Sequence, residues 1–254
     1  MKKFFVFDLD DTLIDNVHDY SDPILDAARL IIHTLGNIAP HVTQIIVMEY
    51  EIDRRRVKEI NPDTGKPFLF SMERFPGSLR ETYREICKKA KIVINNDVEK
   101  RLYEIGMTAF DATRYVRNIN PNAFLVLEFL RGMGNTLVLC SKGDNRVQAM
   151  KLYALKKMGI NHFNEVIVVD DKSTEVFSAI RQKYDGLSGF YSIGNSYDSD
   201  ILPALGAGFR GVFIPVETWE VIGKMNEIFA RVDKDRCVVM SSLRQIIERY
   251  QELS

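Results

Sequence analysis

Cysteine is scarce in this chain, with three residues in 254, at Cys87, Cys140 and Cys237. Their odd number and lack of metal-type spacing exclude a disulfide framework and predict a reducing compartment. Cys140 lies in the apolar run TLVLC (136–140), which reads as a buried strand residue and not as a nucleophile. An excess of charge of one sign is missing too: 34 Lys and Arg face 35 Asp and Glu, a net charge of −1. That balance argues against nucleic-acid binding by bulk electrostatics. No apolar run approaches the roughly 18 residues of a membrane span. The N-terminal FFVF soon meets Asp8, Asp10 and Asp11, so it is too short for a signal peptide. The expectation is a soluble cytoplasmic protein with neither nucleic acid nor membrane as partner, and nothing in the pattern speaks to oligomeric state. Internal repeats and low-complexity tracts are also lacking. What is present is ordinary globular composition, 46% hydrophobic and 27% charged, enough for a real core in one large domain or two smaller ones.

Two textures divide the chain. Residues 3–8 form a β-rich apolar run ending in acid, and after about residue 134 such runs alternate with helical patterns: 136–141, 165–170, 189–194 and 211–215. Apolar runs of that length separated by helices indicate parallel strands buried on both faces. A helix over 145–158 turns Val147, Met150, Ala154, Leu155 and Met158 to one face and ends at Gly159. Residues 16–118 carry helical signals only. Asp22-Pro23 opens a helix that Gly36 closes, and Ser78 with Glu81 and Asn96 with Glu99 have capping-box spacing. Residues 61–77, rich in Pro and Gly, are expected to be a loop. The fold class is therefore α/β: a Rossmann-like parallel sheet core (1–15 and 119–254) with an inserted α-helical cap (16–118).

In an open parallel sheet the ligand crevice lies at the carboxyl ends of the strands. Four strands deliver polar residues to that edge: Asp8 and Asp10 in DLDDT (8–12), then Ser141, then Lys172, then GNSYDSD (194–200). Carboxylates, a hydroxyl and an ammonium thus converge from four places in sequence. Together and in this order they resemble the haloacid dehalogenase-like hydrolase superfamily, and the segment KLYALKKMGINHFNEVIVVDDK (151–172) is similar to its region between second and third motifs. A helical cap directly after the first motif resembles the type found in many of its small-molecule phosphatases.

The resemblance implies phosphoryl transfer through an aspartyl-phosphate. Asp8 would be the nucleophile. Asp10 would protonate the leaving alkoxide and then take a proton from the attacking water. Ser141 would bind phosphoryl oxygens, and Lys172 would neutralise Asp8 and the transferring group. Thr12 would hydrogen-bond Asp10 or the backbone and fix its rotamer; Thr12 and Lys142 are substrate-side candidates, and Lys142 is also a rival for the Lys172 role. So much negative charge calls for Mg²⁺, with Asp8, the main-chain carbonyl of Asp10, Asn195 and Asp200 as the expected ligands. The chain departs from the family pattern here, because Asn195 stands where members usually carry Asp; Asp200 best fits the second loop acid, with Asp198 as the alternative.

The expected function is a Mg²⁺-dependent phosphatase for a small phosphorylated metabolite. Alternatives in the same superfamily are a phosphomutase and a 2-haloacid dehalogenase; dehalogenation has no leaving alkoxide to protonate, so Asp10 favours phosphate. Residues 54–91 hold eleven Lys or Arg against five Asp or Glu, either to draw an anionic substrate or as a solvated helical face. Arg74 is a candidate specificity contact. His18 is expected at the surface.

Overall fold

The computed structural model describes residues 2–187, 189–218 and 221–253. In chain order the elements are β1 (Phe4–Phe7), α1 (Ser21–Leu35), α2 (Val42–Arg56), α3 (Arg74–Ala90), α4 (Asn96–Met107), α5 (Ala112–Arg117), α6 (Ala123–Gly132), β2 (Thr136–Lys142), α7 (Asn145–Lys157), β3 (Glu165–Val169), α8 (Thr174–Lys183), β4 (Phe190–Gly194), α9 (Leu202–Gly206), β5 (Arg210–Phe213), α10 (Met225–Arg231), β6 (Cys237–Val239) and α11 (Gln245–Glu248). Two compact units share them: Met1–Val17 with Tyr115–Ser254, and His18–Arg114. Among the described residues no helix is long and apolar enough to cross a membrane.

The first unit is an α/β core around one six-stranded sheet, ordered β3-β2-β1-β4-β5-β6, with every neighbouring pair parallel. β1 sits inside it, Phe4 opposite Thr136 on one side and Phe190 on the other. All four β1 residues are buried because both faces are covered. Phe5 and Phe7 pack with Leu127, Leu130 and Leu139 on one face, while Phe4 and Val6 meet Phe177, Ile180 and Phe209 on the other. At about 1.5–3 kcal/mol for each large side chain removed from water, this double burial makes β1 a rigid support for the acidic residues just beyond it. β6, a three-residue strand paired with β5, was not expected; the expected strand over 211–215 is Arg210–Phe213.

The second unit is built on α1, α2, α3 and α4, which bury Ala27, Ile31, Ile45, Ile52, Leu79, Tyr83, Ile86 and Leu102 among them. Two sequence expectations need correction here. α3 starts at Arg74, inside the segment read as loop, so Ser78 is not a cap but a buried helical residue whose hydroxyl donates to Phe75 O at 2.7 Å. Pro76 misled because it falls in the first turn, where its missing N–H has no partner to lose. α4 is capped one residue earlier than expected, by the Asn95 side chain accepting from Asp97 N at 2.9 Å.

Candidate active site

Sequence-adjacent strands leave β1 in opposite directions, β2 and β3 to one side and β4 to β6 to the other. The reversal between β1 and β4 is where an open α/β sheet forms its crevice. Asp8 stands there, one residue beyond β1, with its N–H donating to Ile193 O at 2.9 Å. Its Oδ1 accepts from Lys172 Nζ. Lys172, carried past the end of β3 and just before the Ser173 cap of α8, also donates to Asp200 Oδ1 at 2.7 Å. Asp200 is held in turn by the Ser196 N–H on its Oδ2 at 2.9 Å and by the Ser192 hydroxyl on its carbonyl at 2.7 Å. A Cβ on Gly194 would come within 2.3 Å of Asp200 Oδ2, so glycine at the end of β4 is what lets this carboxylate reach Lys172.

Two buried carboxylates therefore share one buried ammonium, and a negative charge is left over. Burial first, and Asp200 second, push Asp8 up to about 7 against the opposing pull of Lys172. Burial alone would lower Lys172, but Asp200 and Asp8 outweigh it and hold the ammonium well above the usual lysine range. Lys172 is thus a fixed cation, and Asp8 absorbs the charge imbalance. The neighbouring Cys140 thiol, pushed up to about 11 by burial, stays protonated and inert.

The leftover charge has a place to be met. One side-chain amide atom of Asn195 lies 3.3 Å from Asp8 Oδ2 and 3.0 Å from the main-chain O of Asp10, and the Thr12 hydroxyl is 3.5 Å from it. If that atom is oxygen, its 3.3 and 3.0 Å spacings from the other two oxygens are close to those between neighbouring oxygen ligands of one Mg²⁺ ion, about 2.9 Å. If the amide is turned, its NH₂ donates to both neighbours instead. The donor set, one carboxylate, one carbonyl and one amide, fits Mg²⁺. No cluster of three His, Cys, Asp or Glu side chains suited to a metal occurs among the described residues. Asp200 has both oxygens engaged elsewhere, and Asp198 is an exposed partner of Arg231 at 2.9 and 3.0 Å.

The other expected residues gather at the same edge. Asp10 Oδ1 accepts from Lys151 Nζ, and its Oδ2 accepts from Gln148 Nε2 at 3.1 Å. The Thr12 hydroxyl donates to Asp8 Oδ2 at 3.4 Å rather than to Asp10. Ser141 is buried near the end of β2, and its hydroxyl has no partner among the described residues, a cost unless an acceptor is supplied. Lys142 donates to Ser199 Oγ at 3.1 Å.

Solved structures share this architecture. A haloacid dehalogenase-like family hydrolase of Xanthomonas campestris superposes with a TM-score of 0.68 at 20% identity, over 99% of this chain and 91% of the other. The chain has the fold of the haloacid dehalogenase-like hydrolases. A HAD phosphatase of Thermococcus onnurineus (TM-score 0.55, 16% identity, 98% and 97% covered) and a 2-haloacid dehalogenase of Pseudomonas syringae (0.51, 20%, 100% and 100%) share it as well. No protein-family model and no curated protein matches the chain by sequence.

Within this fold, sequence reasoning missed Lys151 and Gln148. The buried face of α7 is Val147, Gln148, Lys151, Ala154 and Leu155, whereas Met158, expected on it, is exposed and Met150 is only half-buried. Arg74, expected to touch substrate, is instead buried in the second unit, donating to Asp53 Oδ1 at 3.0 Å and to Leu69 O at 3.0 Å. Much of the basic stretch is tied up in that unit: Arg56 pairs with Glu81 at 2.9 Å, Arg55 with Glu59 at 2.6 Å, and Arg84 with Glu99. His18 is exposed.

Proposed function

We propose that this protein is a Mg²⁺-dependent phosphatase that hydrolyses a small phosphate monoester through an aspartyl-phosphate on Asp8. The observation that carries this reading is the second carboxylate: Asp10, part-exposed at the crevice edge, has its own pair of donors, apart from the Asp8–Lys172–Asp200 cluster. Alkyl-halide displacement has no use for such a group, whereas an alkoxide leaving group needs its proton.

Asp8 Oδ1 attacks phosphorus, the P–O bond to the leaving group breaks, and Asp10 gives its proton to the departing oxygen. Water then attacks the phosphorus of the aspartyl-phosphate, Asp10 takes the proton, and the P–O bond to Asp8 breaks to free inorganic phosphate and restore the carboxylate. Lys172 keeps Asp8 anionic enough to attack, and the unpaired Ser141 hydroxyl donates to a phosphoryl oxygen. Lys142, beside Ser199, offers a further cation to the phosphoryl group. Asp8 Oδ2, the Asp10 carbonyl and Asn195 Oδ1 would hold Mg²⁺, and Asp200 would act through Lys172. Bound there, the ion supplies positive charge to the phosphoryl oxygens. We place the reaction in the cytoplasm, on the reducing chemistry implied by three buried free cysteines.

The test is phosphate release from sugar, nucleotide and glycolyl phosphates with and without Mg²⁺, run beside halide release from 2-haloacids. Phosphate release that is abolished in Asp8→Asn is expected. Halide release without phosphate release would replace this reading by dehalogenation, and sugar-phosphate isomerisation would replace it by mutase chemistry.

A further inference from the structure

Lys151 has no part in the chemistry above, yet its side chain is 3% exposed and its ammonium is fully committed to the site. It donates to Asp10 Oδ1 and to Asn16 Oδ1, the latter at 3.0 Å, and lies 5.3 Å from the centre of the Tyr115 ring. Gln148, one turn earlier on the same face of α7, donates from Nε2 to Asp10 Oδ2 and to Lys142 O, both at 3.1 Å. Each oxygen of Asp10 is thereby gripped by a donor from one helix. Asn16 and Tyr115 flank the two points where the chain leaves the core unit and returns to it. The outgoing segment is itself pinned: Asp11, at φ 57°, accepts the N–H groups of Asn16 and Val17, each at 2.8 Å.

Burying a lysine is costly, and an apolar residue would fill the same space more cheaply. A carboxylate that must serve first as acid and then as base needs one fixed orientation, because a displacement of about 1 Å can cost about a hundredfold in rate. We propose that Lys151 is a positioning residue: with Gln148 it holds the Asp10 carboxylate in its working orientation, and it anchors that orientation to Asn16 and Tyr115. The inference rests on the phosphatase reading and adds a residue to it.

Two substrates separate the steps that Asp10 serves. Release of p-nitrophenolate needs no proton, so Lys151→Met should still form the aspartyl-phosphate from p-nitrophenyl phosphate but hydrolyse it slowly. The expected result is a burst of one p-nitrophenolate per enzyme, absent in the wild type. On an alkyl phosphate kcat should fall about a hundredfold with KM within about twofold, in line with the usual worth of acid–base catalysis. In an Asp10→Asn background Lys151→Met should cost nothing further. Asn16→Ala, a milder change, should lower kcat about tenfold with the same burst. Wild-type kcat in folded Lys151→Met, a loss without a burst, or a further full loss on top of Asp10→Asn would each overturn the positioning role alone. Phosphate release that survives Asp8→Asn would instead overturn the phosphatase reading beneath it.

Discussion

Replacing Asn195 by Asp tests the geometry on which the candidate metal site stands. The variant puts a carboxylate where an amide now lies 3.3 Å from Asp8 Oδ2 and 3.0 Å from Asp10 O. Two unit charges at that separation repel by about 5 kcal/mol at an effective dielectric of about 20. The full repulsion is never felt, because one carboxylate takes a proton first. Asp8 already sits at about 7, so its protonation costs about 1.4 kcal/mol at pH 8 and a similar amount more at pH 9. One amide hydrogen bond is lost besides, worth about 1 kcal/mol. In EDTA, Asn195→Asp should therefore melt below the wild type by about 3–10 °C at pH 8, and the gap should widen towards pH 9. Mg²⁺ should close or invert it, with calorimetry showing roughly tenfold to hundredfold tighter binding than the wild type, about 1.4–2.8 kcal/mol. A variant whose melting in EDTA matches the wild type from pH 7 to 9 would show that Asn195 does not face Asp8 and Asp10, and the proposed ligand set would fall with it.

In the second unit, burial first and Asp53 next push Glu49 up to about 8, and the Ser78 hydroxyl it accepts at 2.9 Å offsets only part of this. Its folded value lies above the ordinary 4.5, so the stabilisation is complete below pH 4.5 and is lost as pH rises through 8, a swing of up to about 5 kcal/mol. Glu49→Gln keeps the acceptor and removes the charge; hydrogen exchange over 42–56 and 74–90 should slow at pH 8–9 and stay unchanged near pH 4, and a fall in protection at pH 9 would refute this. Arg74→Met strands Asp53 and should cost about 3–5 kcal/mol in denaturant unfolding, with substrate preference unchanged and partial recovery on adding Asp53→Asn. Lys172→Met leaves Asp8 and Asp200 unpaired; stability should fall by a similar amount at pH 8 and recover in part with Asp200→Asn, while phosphate release stays abolished in both.

β1, β2 and β4 were legible because burial on both faces writes them as unbroken apolar runs, FFVF most clearly, and the outer strand β3 because its run EVIVV is β-branched although only half-buried. β6 escaped because three residues make no pattern. DLDDT could be found because chemistry and register coincide within five residues. Lys151 and Gln148 could not, because a polar residue on an amphipathic helix reads as its solvent side until the partner is known. That partner, Asp10, is 141 residues away from Lys151. The start of α3 was hidden by Pro76 and Gly77, which read as breakers. Inside the helix, Gly77 instead leaves room for the Arg56 guanidinium, which a Cβ would meet at 2.6 Å.

Asp8 and Asp10 are the same residue type, two positions apart, yet the proposed chemistry gives them different work. Identity cannot divide the labour, so surroundings must. Asp8 is buried and shares Lys172 with Asp200, an arrangement that keeps the ammonium permanently charged and leaves the nucleophile to answer to whatever cation reaches Asn195. Asp10, a quarter exposed, takes its donors from α7, whereas Asp8 and Asp200 share a donor that stands beyond the end of β3. The two lysines come from one crossover unit, Lys151 from the middle of α7 and Lys172 from just beyond the end of β3. That crossover therefore sets both acids, and neither lysine can stand in for the other. A damaged Asp8 pair should stop the first chemical step, whereas a damaged Asp10 pair should let a good leaving group depart and then stall.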